Sequence, residues 1–173
     1  MSAEGKLRVL AQIANRLNAA EIQWALGASA MLYLNGVADR FDDLDIMVQT
    51  DQALRAKDIL KSMGAMKAAN PAAAVRSPGG ITASSSHTAA TSSITIYFFE
   101  FVIGGVDVDL MGGFTIREGE IEHDCSLKPF QIAETREICG EKVPLQALSV
   151  WREYYEWMGR RAKVEMIDAR NRK

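Results

Sequence analysis

Two periodicities divide this chain. Leu7, Leu10, Ile13, Ala14 and Leu17 recur every three to four positions, which predicts an amphipathic helix over 4–19. After it the pattern shortens. Residues 22–26 are short and mostly apolar, and Asp-Leu-Asp-Ile-Met-Val over 43–48 begins by alternating, so both read as strands. Between them Ser29 is placed to cap a helix over 30–34 that stops near Asn35-Gly36. Thr50 is a matching N-cap for a helix running to Met63, with Gly64 as its stop. Residues 94–103 and 106–111 predict a hairpin across Gly104-Gly105, a pair suited to the positive φ angles of tight turns. An edge strand over 114–122 follows, then a small hairpin over 136–143 around Gly140. Residues 144–173 read as helices broken at Gly159, with Leu148, Trp151, Tyr155 and Met158 on one face. Pro71, Pro78-Gly79-Gly80 and many Ser, Thr and Ala make 70–93 a long loop, with a strand over 81–87.

This order predicts an α/β (α+β) fold, with a mixed, partly antiparallel sheet flanked by helices. The division it implies is a core over 1–143 and a C-terminal helical segment over 144–173 packed on the same domain.

The strand over 43–48 carries chemistry as well as pattern. Side chains i and i+2 of a strand share a face. Asp43 and Asp45 therefore project together, while Leu44, Ile46 and Val48 point the other way. Two adjacent anions persist only when a cation or a shared proton compensates them. Hard divalent ions with oxygen ligands, chiefly Mg2+, are the natural compensation, and Mn2+ is the alternative. Val106-Asp107-Val108-Asp109-Leu110-Met111 repeats the apolar–acidic alternation and supplies a third acidic position. A small-residue turn, Gly27-Ala28-Ser29, lies just upstream of the first pair.

These three elements, in this order, resemble the nucleotidyltransferase superfamily, the fold of DNA polymerase beta and of the minimal and antibiotic nucleotidyltransferases. The resemblance covers roughly residues 20 to 112. It implies a nucleotidyltransferase-like core and transfer of a nucleoside monophosphate, AMP first among them, from an NTP to an acceptor hydroxyl. It assigns Asp43 and Asp45 to hold two divalent ions and the triphosphate. Asp109 becomes the distal carboxylate on the acceptor side, because Leu-Met-Gly-Gly after it looks like the family's stretch there; Asp107 is the alternative third ligand. Gly27, Ala28 and Ser29 would meet the triphosphate, with Gly27 allowing close backbone approach and Ser29 binding phosphate oxygens. Ala28 stands where the family usually has Gly or Ser. Arg40 would contact phosphate or pair with Asp42. The acceptor stays open among a small molecule, a partner protein and a tRNA end. A catalytically silent nucleotide-binding or protein-interaction module on the same fold is the alternative.

Composition narrows this only slightly. The chain has 173 residues, 48% of them hydrophobic, and a formal net charge of -2, so no overall basic field draws nucleic acid. Cys125 and Cys139 lack metal or redox spacing. With no signal peptide and no apolar stretch of transmembrane length, they predict reduced thiols in a cytoplasmic protein. Oligomeric state is not legible. Arg152, Arg160, Arg161, Lys163, Arg170, Arg172 and Lys173 crowd the C-terminus, either as a solvated helix face or as a phosphate-facing patch. Trp151, Tyr154, Tyr155 and Trp157 read as helix packing ahead of a base-stacking platform. His87 reads as a surface loop residue.

Overall fold

The computed structural model describes residues 1–67, 75–77, 81–83 and 91–172. Helix α1 (Ala3–Ala19) turns Leu10, Ile13, Ala14 and Leu17 fully into the core, the stripe its period requires. Ser2 caps it, its Oγ accepting from the Gly5 amide at 3.2 Å. Strand β1 (Trp24–Leu26), helix α2 (Ala28–Leu34) and strand β2 (Asp43–Val48) follow, then helix α3 (Ala53–Lys61) and the short strands β3 (Ala65–Met66), β4 (Val75–Ser77) and β5 (Ile81–Ala83). The long strands β6 (Thr91–Ile103) and β7 (Val106–Glu118) form the predicted hairpin, and β8 (Ile121–Asp124) pairs with the far end of β7. Strands β9 (Ile132–Ile138) and β10 (Glu141–Gln146) lead into helices α4 (Leu148–Trp157) and α5 (Arg161–Asn171).

One sheet runs in the order β3-β6-β7-β2-β1-β10-β9, with β8 beside β7. Most pairings are antiparallel; β2 with β7 and β1 with β10 are parallel. Leu44, Ile46, Val108 and Leu110 are buried on one face. Ala53 of α3 covers that face beside Val48 and Gly112. Alternation then puts the aspartates on the opposite face. No described helix is long and apolar enough to cross a membrane.

Several expected boundaries move, for identifiable reasons. The break expected after Met111 does not occur: β7 continues through Gly112 and Gly113 to Glu118. A Cβ at Gly112 would lie 2.8 Å from the Ala53 Cβ, so glycine there seats α3 on the sheet and does not end the strand. The segment over 114–122 is therefore the end of β7 plus β8, joined by the turn at Gly119. The N-cap expected at Thr50 instead opens a 3-10 turn, Thr50–Gln52, ahead of α3. The small hairpin is longer than its pattern, and Pro144 lies in β10, not in a helix. β1 meets β10 at a single register pair, Leu26 with Leu145, which leaves Pro144 outside that ladder. Of the strand expected over 81–87, Ile81–Ala83 is present. Residues 84–87, with His87, lie outside the described residues.

Candidate active site

Parallel pairing of β2 and β7 sets Asp43 opposite Asp107 and Asp45 opposite Asp109. The carboxylates of Asp43, Asp45 and Asp109 converge, each offering an oxygen within 4.8 Å of the others. Asp107 does not join them. It faces Lys67, whose Nζ lies 2.8 Å from its Oδ1. Of the two candidate third carboxylates, Asp109 is the one that lies with Asp43 and Asp45.

Burial and crowding raise the affinity of Asp45 and Asp109 for protons. Burial, then the charges of Asp43 and Asp109, push Asp45 well above the usual carboxylate range; the Arg160 guanidinium and the Ser29 amide pull the other way. Burial, then Asp43 and Glu100, push Asp109 up to about 6. Glu100 is its cross-strand partner on β6. Close, hard oxygen donors that resist ionising together are a donor set suited to Mg2+ or Mn2+.

The small-residue turn sits against this cluster. The Ser29 hydroxyl donates to Asp43 Oδ1 at 2.9 Å, so Ser29 orients a carboxylate and does not cap α2 as expected. The N-cap is Gly27, in extended backbone, and its amide donates to the Asp45 carbonyl at 3.0 Å. Packing also calls for glycine at position 27. A Cβ there would lie 2.5 Å from the Trp151 ring. That ring is held by its Nε1, which donates to Gln146 Oε1 at 2.9 Å. Ala28 has φ +43°, a left-handed conformation that costs an L-residue about 1–2 kcal/mol, which explains why glycine suits this position. Gly27→Ala is expected to destabilise the fold by roughly 1–3 kcal/mol through overpacking. That lowers the melting temperature by about 2–4 °C per kcal/mol. An unchanged thermal melt would show that Trp151 moves aside freely.

A cavity of about 660 Å³ opens beside Asp43 and Ser29, lined also by Arg40, Phe41, Lys163 and Met166. Asp42 is paired with Lys6 at 3.6 Å, so Arg40 is not its partner. The C-terminal basic stretch divides. Arg152 joins α4 to α5, its Nε donating to Asp168 at 2.6 Å and its Nη1 to Glu156 at 2.9 Å. Arg160 bears on Asp45, and Lys163 lines the cavity. Trp151, Tyr154 and Tyr155 are core, and Trp157 stacks on His123 at 3.9 Å between centroids. Sequence reasoning grouped Arg160 and Lys163 with their neighbours and did not single out Glu100 or Lys67. The position of Arg160 and Lys163 just after the break at Gly159, where a helix begins, was the available signal.

The pH dependence has a definite sign. Asp109 protonates in the folded protein near pH 6 and in the unfolded chain near 3.9. Its ionisation therefore destabilises the metal-free fold as pH rises from about 4 through 6. The melting temperature of Asp109→Asn minus that of the wild type is expected to be near zero at pH 4.5 and to grow toward pH 7. A difference that shrinks as pH rises would contradict the crowding.

A strand-borne triad of carboxylates beside a small-residue turn and a cationic cleft defines the class: this is a nucleotidyltransferase. The match to the aminoglycoside-2''-adenylyltransferase family spans residues 9–171, and the chain belongs to that family. Among solved structures, a Thermotoga maritima protein provisionally described as a nucleotidyltransferase shares the fold, with TM-score 0.67 and 24% identity over 98% of this chain and 94% of that one. ANT(2'')-Ia, solved with adenylyl-2''-tobramycin, shares it at TM-score 0.56 and 11% identity over 94% of this chain and 87% of that one. No curated protein matches the chain significantly.

Proposed function

We propose that the protein transfers an adenylyl group from ATP to a hydroxyl of a small, amine-bearing acceptor of the aminoglycoside class. The convergence of Asp43, Asp45 and Asp109 carries this reading. Those three residues would hold divalent Mg2+ or Mn2+, which when bound neutralises phosphate charge and makes the α-phosphorus open to attack. Ser29 keeps Asp43 in its rotamer. Arg40 faces the cleft where the phosphates would lie.

The acceptor oxygen forms a bond to the α-phosphorus as the bond to the bridging β-phosphate oxygen breaks. Pyrophosphate leaves with that electron pair. An oxygen of Asp109 accepts the hydroxyl proton, the role of a general base placed on the acceptor side. Glu100 beside Asp109 makes the acceptor side acidic, which suits an acceptor carrying ammonium groups. Family membership supports the adenylyl group and the acceptor class. The test is incubation with ATP, Mg2+ and a panel of aminoglycosides, followed by mass spectrometry. The expected product is an acceptor heavier by one adenylyl group. Unmodified acceptors throughout the panel, with ATP consumed on another hydroxyl compound, would overturn the acceptor class.

A further inference from the structure

The cavity beside Asp43 joins cations from two distant parts of the chain. Arg40 comes from the loop before β2, and Lys163 from the first turns of α5. Among the described residues Lys163 takes part in no ion pair. Its basic neighbours are placed elsewhere: Arg152 on Asp168, Arg170 donating to the Asn35 carbonyl at 3.2 Å, and Arg161 in a separate cleft beside Trp157. Arg160, the N-cap residue of α5 and three positions before Lys163, bears on Asp45. Residues 160 and 163 thus form a short cationic ladder from the carboxylates into the cavity.

Charge arithmetic gives this ladder a purpose. Two divalent ions, as in two-metal phosphoryl-transfer sites, nearly cancel against three carboxylates. They leave about one positive charge to face a triphosphate tail whose groups each carry one to two negative charges. The remainder must come from protein cations at the far end of the cleft, and Lys163 is a compact point charge of the kind that binds phosphate.

We propose that Lys163 grips the terminal phosphates of the nucleotide, so that helix α5 reads the length of the phosphate tail. This rests on the nucleotidyl-transfer reading above. Lys163 also meets the pyrophosphate as it departs and offsets the charge it gains.

The test is isothermal titration with ATP, AMP and inorganic tripolyphosphate in Mg2+, without acceptor. For Lys163→Met, affinity for ATP and for tripolyphosphate is expected to fall about tenfold with AMP unchanged. Lys163→Arg should restore most of the loss. An equal loss for ATP and AMP, or no loss at all, overturns the assignment and leaves the nucleotide site standing. A wild type that binds neither ATP nor tripolyphosphate overturns the underlying reading, and this assignment with it. Thermal melts of both variants check that the fold is intact.

Discussion

Asp43→Asn combined with Asp45→Asn is expected to abolish Mn2+ binding and to lower transfer by on the order of 10³-fold or more, while the metal-free protein melts higher than the wild type. The three effects share one origin. β2 presents both carboxylates on one face, and β7 adds Asp109 alongside them. Asp45 is only 9% exposed, so its charge is poorly hydrated as well as repelled. Removing two charges relieves that repulsion and removes most of the oxygen donors that a hard cation needs. Loss of preorganised charge stabilisation typically costs 10²- to 10³-fold for a single group, and here two are lost together. Stability gained at the expense of function is the usual signature of a working site. The measurement is a Mn2+ titration beside thermal melts in chelator. Undiminished Mn2+ binding by the double variant would move the metal site elsewhere.

The second large effect separates two aspartates that lie one pleat apart. Asp109→Asn is expected to lower turnover by at least about 10²-fold, the ordinary contribution of a general base, with further loss from the missing ligand. Nucleotide affinity should largely survive, since Asp43, Asp45, Arg40 and Ser29 remain. Asp107→Asn should change turnover less than about threefold. Its carboxylate is half exposed and paired with Lys67, and an exposed pair of this kind contributes about 0–1 kcal/mol. Turnover and ATP affinity of both single variants check this. An inactive Asp107→Asn beside an active Asp109→Asn would mean that the acceptor approaches from the Lys67 side.

How much of this was readable before the structure depends on range. Strand alternation placed Asp43 with Asp45, and Asp107 with Asp109, because a period of two is a local property. The choice between Asp107 and Asp109 was not local. It depends on the parallel register between β2 and β7 and on Lys67, which is far from both in sequence. Ser29 was recognised as important for a partly wrong reason. A serine before a helix looks like a cap, but the cap position fell on Gly27, and the hydroxyl found Asp43. Sequence gives Gly27 a part in ligand approach but not its packing role: its missing side chain makes room for Trp151, more than a hundred residues later. Gly112-Gly113 looked like a strand end because the contact that requires a glycine, Ala53, lies on another element. The basic C-terminus read as one patch; only the packing of α4 on α5 divides it into Arg152, bound to Asp168, and Lys163, facing the cavity.

Release of pyrophosphate from ATP tests the central claim most directly, measured with an aminoglycoside acceptor in Mg2+ and again in excess chelator. The wild type is predicted to release pyrophosphate in Mg2+ and to stop in chelator, and the variant with Asn at positions 43, 45 and 109 is predicted to release none in either. Release that persists in chelator, or that survives loss of all three carboxylates, would contradict the assignment of catalysis to this triad.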